Sequence, residues 1–212
     1  MFINLLSRDP NLYFSLVIII TFSICFHEYC HARAALWQGD HTAAMQGHLT
    51  LNPLKQMGVM SIIMLLVVGI SWGAVPVNPG NMRKRYSDAL VAFAGPAANI
   101  ALFLTFAFLT AISVKFGKNP TITDSATNFL FSGAVLNVVL FLFNMLPVPP
   151  LDGFNVFTYL FPAMNRINQE IRNGMLFLLF MIAFVSFKYF YALGEFLTNL
   201  VIIAFFRILN LF

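Results

Sequence analysis

The chain has 212 residues, of which 59% are apolar and only 9% are charged. Charged residues make up about a quarter of an ordinary soluble domain, so this composition excludes a water-soluble protein and predicts one embedded in a lipid bilayer. The net charge of +4 is what orienting the loops of a membrane protein requires, and we expect no nucleic-acid partner.

Long apolar segments follow one another along the chain. The first, Asn11 to Leu36, holds about 26 residues and reaches ~39 Å as a helix, more than the ~30 Å of a hydrocarbon core. Ala89 to Val114 and Ser125 to Leu146 predict two further spans. The tail from Met175 to Leu211 predicts two short helices, with one long bent helix as the alternative.

An ionisable cluster interrupts the first span at His27-Glu28-Tyr29-Cys30-His31, which reads HExxH. Such groups cost roughly 2.5 to 3.5 kcal/mol each inside a membrane, so the cluster indicates a functional site. Helix positions four apart share one face, so both imidazoles can bind one zinc ion while Glu28 stands beside it. A carboxylate placed there can carry a proton from water to a leaving amine, as in peptide hydrolysis. The alternative is two packing histidines with a paired glutamate.

A zinc site needs a third protein ligand, and no glutamate follows Glu28 before Glu170. Among the aspartates, Asp152 is the best placed, because it follows an apolar helix that is broken by the prolines of residues 147–150. Gly153 lets the backbone turn directly after it. A carboxylate on such a helix end can reach a neighbouring helix. The alternative is an ordinary solvated loop aspartate.

Three motifs occur in one order: His27 to His31, then Gly95-Pro96-Ala97-Ala98-Asn99, then the run NMLPVPPLDG from Asn144 to Gly153. They resemble the HExxH, GPxxN and NxxPxPPLDG motifs of the site-2 protease family, the M50-type intramembrane zinc metalloproteases. The resemblance covers nearly everything from Phe14 to Gly153. Larger members carry PDZ or CBS domains, for which this chain has no length, so we expect the short branch without them.

The resemblance implies three ligands for one zinc ion per chain: His27, His31 and Asp152. It implies Glu28 as the general acid/base of a zinc metalloendopeptidase. Asn144 would lie beside the site, where its amide could hold substrate backbone or the developing oxyanion. Asn99 would help to position the helices around the metal. The implied partner is a transmembrane protein substrate, whose peptide bonds are cleaved within or beside the membrane.

The connection after the first span also resembles that of the short branch, from Gly47 to Pro53. Strand-like pairing of an unwound substrate with Leu49 to Leu51 is one hypothesis for substrate binding. Many relatives continue with His and Asp after the LNP triplet, whereas Lys55-Gln56-Met57-Gly58 stands here. His41 and His48 are expected to be solvated or hydrogen-bonding residues of this polar loop.

The binding of one zinc ion by His27, His31 and Asp152 would restrict the topology. Asp152 must then lie on the same side of the membrane as the end of the first span, so the chain must cross the membrane an even number of times between them. The short segment from Met57 to Gly73 should therefore dip into the bilayer and return, which its glycine content favours. The zinc face then carries eight Lys and Arg, namely Arg33, Lys55, Arg83, Lys84, Arg85, Arg166, Arg172 and Arg207. The other face carries Arg8, Lys115, Lys118 and Lys188, so the positive-inside rule places the active site toward the cytoplasm.

The sequence thus predicts an all-α polytopic membrane protein with a three-helix zinc-binding core, a re-entrant or hairpin segment and a C-terminal helical pair. We expect one membrane-embedded metalloprotease domain over residues 1–212, with its core at 11–160 and the C-terminal helices at 170–212, in the lipid bilayer of the cell membrane. Two alternatives stay open. One is an inactive membrane scaffold homologue, and the other is a small metal or proton transporter that uses the same residues.

Overall fold

The computed structural model describes residues 2–117 and 120–211, and within these ranges the chain is helical and has no β-strand. The helices are α1 (Asn4–Arg8), α2 (Pro10–Gln38), α3 (Thr42–Met45), α4 (Pro53–Gln56), α5 (Gly58–Val68), α6 (Ser87–Phe116), α7 (Pro120–Asn144), α8 (Asp152–Leu160) and α9 (Gln169–Leu209). The predicted all-α class is confirmed.

Four helical stretches in the described ranges are long and apolar enough to cross a membrane: Pro10–Gln38, Ser87–Phe116, Asp124–Asn144 and Phe187–Leu209. They correspond to α2, α6, most of α7 and the second half of α9. Helix α6 packs against both α2 and α7, so these three helices form the predicted core. Small residues allow the close approach of α6 and α7, where Ala107 and Ala134 are fully buried beside Phe103 and Val138.

The first span is well defined at both ends. The Asp9 carboxylate accepts a hydrogen bond of 3.0 Å from the Leu12 amide, and Pro10 occupies the first turn of α2. At the other end Gly39 adopts a φ of 102°, a left-handed conformation that glycine accepts without strain and that ends the helix. The 29 residues between these caps suffice for a complete crossing.

The segment between the first and second spans enters the helical bundle and returns. Its helix α5 has 11 residues and so extends only ~16 Å. Near its end the Leu66 carbonyl accepts a hydrogen bond of 2.8 Å from the hydroxyl of Tyr13, which lies in the first turns of α2. The chain then runs back without regular structure, and the Asn78 amide donates to Asp40 at 2.7 Å, just beyond the opposite end of α2. The predicted re-entrant segment is confirmed.

The C-terminal tail differs in one detail from the predicted helical pair. Helix α9 is continuous over its 41 residues, which is the single-helix alternative. Lys115 Nζ donates to the Leu209 carbonyl, which joins the last turns of α6 and α9. The rings of Phe143 and Phe190 lie 6.4 Å apart at the C-terminal end of α7. Lys188 and Arg207 therefore exchange faces relative to the predicted topology, and this exchange does not alter the predicted eight-to-four ratio. Lys118, which that prediction also counts, lies outside the described residues.

Candidate metal centre

Helix α2 and the start of α8 bring three donor atoms together. His27 Nε2 lies 3.0 Å from Asp152 Oδ2, and His31 Nε2 lies 3.3 Å from the same oxygen. The two Nε2 atoms are 2.9 Å apart. The structure thus joins all three predicted ligands, although Asp152 comes from a different helix far along the chain.

The spacing of the donors fits one small cation. Zinc binds imidazole nitrogen and carboxylate oxygen at about 2.0 to 2.2 Å, so neighbouring donors of a tetrahedral site lie ~3.3 Å apart. The three separations of 2.9, 3.0 and 3.3 Å are close to that edge length. Two imidazoles and a carboxylate also leave one position of a four-coordinate ion for water or substrate.

A chain of buried amides orients the His27 ring. The Gly133 carbonyl can only accept, so the 2.9 Å contact fixes Asn137 Nδ2 as its donor. Asn137 Oδ1 must then accept from Asn99 Nδ2 at 3.1 Å, and Asn99 Oδ1 accepts from His27 Nδ1 at 2.6 Å. Because the proton of the neutral ring is on Nδ1, the lone pair of Nε2 points to the metal position. Asn137 Nδ2 also contacts the Ser23 hydroxyl at 2.9 Å, so the chain links α2, α6 and α7.

The His31 ring is oriented in the same way by helix α6. Its Nδ1 donates to the Val91 carbonyl at 2.6 Å, which leaves the Nε2 lone pair for a metal ion. Two lone pairs 2.9 Å apart beside a carboxylate repel one another unless a positive charge lies among them. The donor set therefore fits a divalent cation such as zinc.

Two glycines make room for this arrangement. A Cβ on Gly95 of α6 would overlap Nε2 of both His27 and His31, so only glycine lets α6 approach the metal position. A Cβ on Gly153 would overlap the backbone of Met145 and the Leu146 carbonyl. Gly153 has no positive φ, so it acts through its small size and lets α8 begin against the end of α7.

Glu28 lies beside the three donors, as the sequence predicts. Its side chain is 9% exposed and has no hydrogen-bond partner among the residues that the structure describes. A Cβ on Gly73 would overlap its Cγ and Oε1, so the backbone of the returning segment closes over the carboxylate. Glu28 is thereby packed between its own helix α2 and the returning segment.

The donors and Glu28 line a cavity of about 440 Å³ between α2, α6, α7 and the start of α8. We call it the catalytic cavity. Residues of the returning segment, between Ser71 and Val77, form part of the lining, and Asn144 of α7 also belongs to it. Asn144 Nδ2 donates one hydrogen bond of 3.0 Å to the Leu140 carbonyl of its own helix. Its second N–H and its oxygen remain for other partners.

Other residues considered in the sequence lie outside the donor group. His48 Nδ1 contacts Gln56 Oε1 at 3.3 Å in the connecting loop, and His41 is exposed at the start of α3. The candidate metal group found in the described part of the chain contains neither of them. Leu49 to Leu51 are likewise absent from the lining of the catalytic cavity.

Sequence reasoning missed three supporting residues. Asn137 is fully buried within an apolar span, and a polar residue at that depth is itself a signal of function. Gly73 and Val91 carry no such signal, because one acts through its lack of a side chain and the other through its backbone carbonyl.

Comparison with known proteins agrees with this geometry. The chain is 37% identical over 175 residues to the "Putative zinc metalloprotease YwhC" of Bacillus subtilis, an alignment covering 81% of this chain and 80% of that protein. It is 33% identical over 159 residues to the "Putative zinc metalloprotease Rip2" of Mycolicibacterium smegmatis, which covers 70% of this chain and 56% of the relative. No solved structure gives a significant match. The model of peptidase family M50 matches residues 15–187, and the chain belongs to this family.

Proposed function

We propose that the protein is an intramembrane zinc metalloprotease that hydrolyses peptide bonds in or near transmembrane segments of other membrane proteins. The observation that carries the proposal is the convergence of His27, His31 and Asp152 in a cavity whose wall also holds Glu28. Two of the helices that line this cavity, α2 and α6, are candidate membrane spans, so a peptide bond cleaved in the cavity would lie close to the membrane.

The side chains around the metal position divide the work of hydrolysis. Zinc held by the three donors would supply Lewis-acid chemistry, polarising a carbonyl and acidifying water. Glu28 accepts a proton from the attacking water and passes it to the leaving amide nitrogen, so that an acid and an amine are released. Asn144 offers its free amide hydrogen to the substrate backbone or to the developing oxyanion.

A helical substrate must unwind before it can react, because its carbonyls are engaged in backbone hydrogen bonds. The cavity lining favours the segment Ser71 to Val77 over Leu49 to Leu51 as the place where an unwound stretch would lie. This segment is fixed to helix α5 by Ser61. The Ser61 hydroxyl donates to the Trp72 carbonyl at 2.7 Å and accepts from the Trp72 amide at 2.9 Å. The Ala74 amide donates to the Gln56 carbonyl at 3.0 Å.

We further propose that the protein is a multi-pass protein of the cell membrane with its zinc face toward the cytoplasm. The eight-to-four excess of basic residues on that face supports this orientation. Cysteine accessibility labelling of single-cysteine variants at Arg85 and Arg8, in intact and in opened cells, tests it. Labelling of the cysteine at position 85 in intact cells would contradict this orientation and place the zinc face outside the cytoplasm.

The central experiment compares zinc content and cleavage in purified wild type, Glu28→Gln and Asp152→Ala. The protease function predicts about one zinc per chain and cleavage of single-span proteins in wild type, retained zinc without cleavage in Glu28→Gln, and loss of both in Asp152→Ala. A scaffold would bind zinc without cleaving any substrate. A transporter would move zinc or protons into sealed vesicles, and Glu28→Gln would change that flux.

A further inference from the structure

A second, smaller cavity adjoins the catalytic cavity between the first turn of α6 and the middle of α8. We call it the side cavity; its volume is about 150 Å³, and Arg85, Asp88, Asn155, Thr158 and Tyr159 contribute to its lining. Asp88 and Asn155 line both cavities, so the two spaces meet at these side chains. Arg85, Asn155 and Tyr159 are exposed, so the side cavity opens to the surface of the protein.

Asp88 and Asn155 each lie three positions along a helix from a residue of the metal centre. Asp88 precedes Val91, the residue that orients His31, by three positions on α6, and Asn155 follows Asp152 by three positions on α8. Three helical residues rise ~4.5 Å, so Asp88 lies about one turn from Val91 and Asn155 about one turn from Asp152. Side chains on one face of an extended peptide repeat every ~6.7 Å, so a substrate residue one or two positions from the cleaved bond can reach them.

Asp88 lies in the first turn of α6, where the helix dipole favours a negative charge, but it has no ion-pair partner among the described residues. Asp88 is half-buried, and it forms no hydrogen bond or ion pair with any residue in the described ranges, Arg85 included. The other ionisable residues of the catalytic cavity are the three metal-site donors and Glu28. Asp88 is thus the remaining ionisable side chain of that lining, and its half-buried carboxylate can attract a cation that enters either cavity.

We propose that Asp88 and Asn155 form a subsite for a basic substrate side chain, lysine or arginine, one or two residues from the cleaved bond. This inference rests on the proposed proteolytic function and gives it a substrate preference. Asp88 supplies the negative charge, and the Asn155 amide oxygen accepts a second hydrogen bond from the ammonium or guanidinium group. Lysine and arginine are also the residues that flank the cytoplasmic ends of transmembrane segments, where the zinc face is proposed to lie.

The test uses the purified full-length protein and a single-span substrate whose cleavage position has been mapped. Substrate versions carry one Lys or one Glu at each position within three residues of the cleaved bond, and kcat/KM is measured for every version. Wild type, Asp88→Asn and Asp88→Lys are compared, with zinc content measured in each. Asp124→Asn is the matched control, because Asp124 is an exposed carboxylate on α7, outside the lining of both cavities.

At one substrate position we expect kcat/KM of wild type and of Asp124→Asn to be about tenfold higher for the Lys version than for the Glu version. In Asp88→Asn this ratio should fall toward unity. In Asp88→Lys the Glu version should be the better substrate. Asn155→Asp adds a second carboxylate and should strengthen the preference for Lys; it serves if Asp88→Lys does not fold. An equal Lys-to-Glu ratio in wild type and Asp88→Asn at every position overturns the subsite alone. A wild-type protein that holds zinc but cleaves none of the single-span proteins offered, so that no cleavage position can be mapped, overturns the proteolytic function with it.

Discussion

Asp40 Oδ2 accepts a hydrogen bond of 2.7 Å from the Asn78 amide, which fastens the returning segment to the end of the helix that carries both histidines. The other oxygen, Oδ1, accepts from the Thr42 amide at 3.0 Å and from Asn81 Nδ2 at 3.0 Å. Asp40 is completely buried. Because Val77 next to Asn78 lines the catalytic cavity, this carboxylate anchors one end of the cavity wall.

The pH dependence of stability should reveal this anchor. Burial alone would raise the pKa of Asp40, but the hydrogen bonds from Thr42, Asn78 and Asn81 outweigh it and lower the pKa from 3.8 to about 2. The unfolded chain then binds the proton more readily, so the stabilisation is present above pH ~4 and is lost as the pH falls toward 2. We expect Asp40→Asn to lower the melting temperature at pH 6 and the difference from wild type to shrink near pH 2.5. Asp124→Asn should differ little from wild type at both pH values.

Removing the amide that orients His27 should weaken metal binding. Asn99→Ala takes away the acceptor 2.6 Å from His27 Nδ1, and the loss of such a partner typically costs 10- to 100-fold in metal affinity. Competition with a chelator gives the zinc dissociation constant of the variant. Asn11→Ala, at an exposed asparagine in the first turn of α2, provides the control and should retain wild-type affinity. Equal affinities for the two variants would contradict the orienting role of Asn99.

A methyl group at Gly95 should abolish the zinc site. Its carbon would overlap both Nε2 atoms, so Gly95→Ala must displace α6 or the two imidazoles, and we expect zinc content to fall well below one per chain. Gly174→Ala is the matched control, because a Cβ there meets nothing within 4 Å and replacement of glycine within a helix is favourable by itself. Full zinc occupancy in Gly95→Ala would show that the helices separate more easily than the close packing indicates.

A methyl group at Gly73 should have a different effect. The three atoms nearest to such a carbon all belong to Glu28, so Gly73→Ala should keep its zinc while kcat falls by about 10²-fold or more as the carboxylate is displaced. Measured together, zinc content and kcat separate this variant from Gly95→Ala. Loss of zinc from Gly73→Ala would mean that the returning segment supports the metal itself.

The parts of the site that lie close together in the sequence could be predicted from it. His27, Glu28 and His31 share one helix, and their spacing alone places both imidazoles on one face. Asp152 was identified mainly through its motif, because nothing in its local sequence states which helix it meets. Asn137 was missed for a related reason, since its partner lies on another helix.

The fold was predicted well where length decided it and less well where packing did. The 11 residues of α5 are too few to cross a bilayer, so its return followed from length and parity. Lipid-facing and helix-facing positions are equally apolar, so hydropathy could not distinguish a continuous α9 from two shorter helices. The continuous helix exchanges the faces on which Lys188 and Arg207 lie, so the number of basic residues on each face stays as predicted.

The hydrogen-bonded chain from Ser23 through Asn137 to Asn99 makes zinc binding depend on the docking of three helices. These side chains belong to three separate helices, so the hydrogen bonds that connect them form only when the helices have docked. A newly inserted chain whose α7 has not joined the bundle presents His27 without its orienting partner. Zinc retention during biosynthesis would therefore mark the molecules in which the three helices have come together.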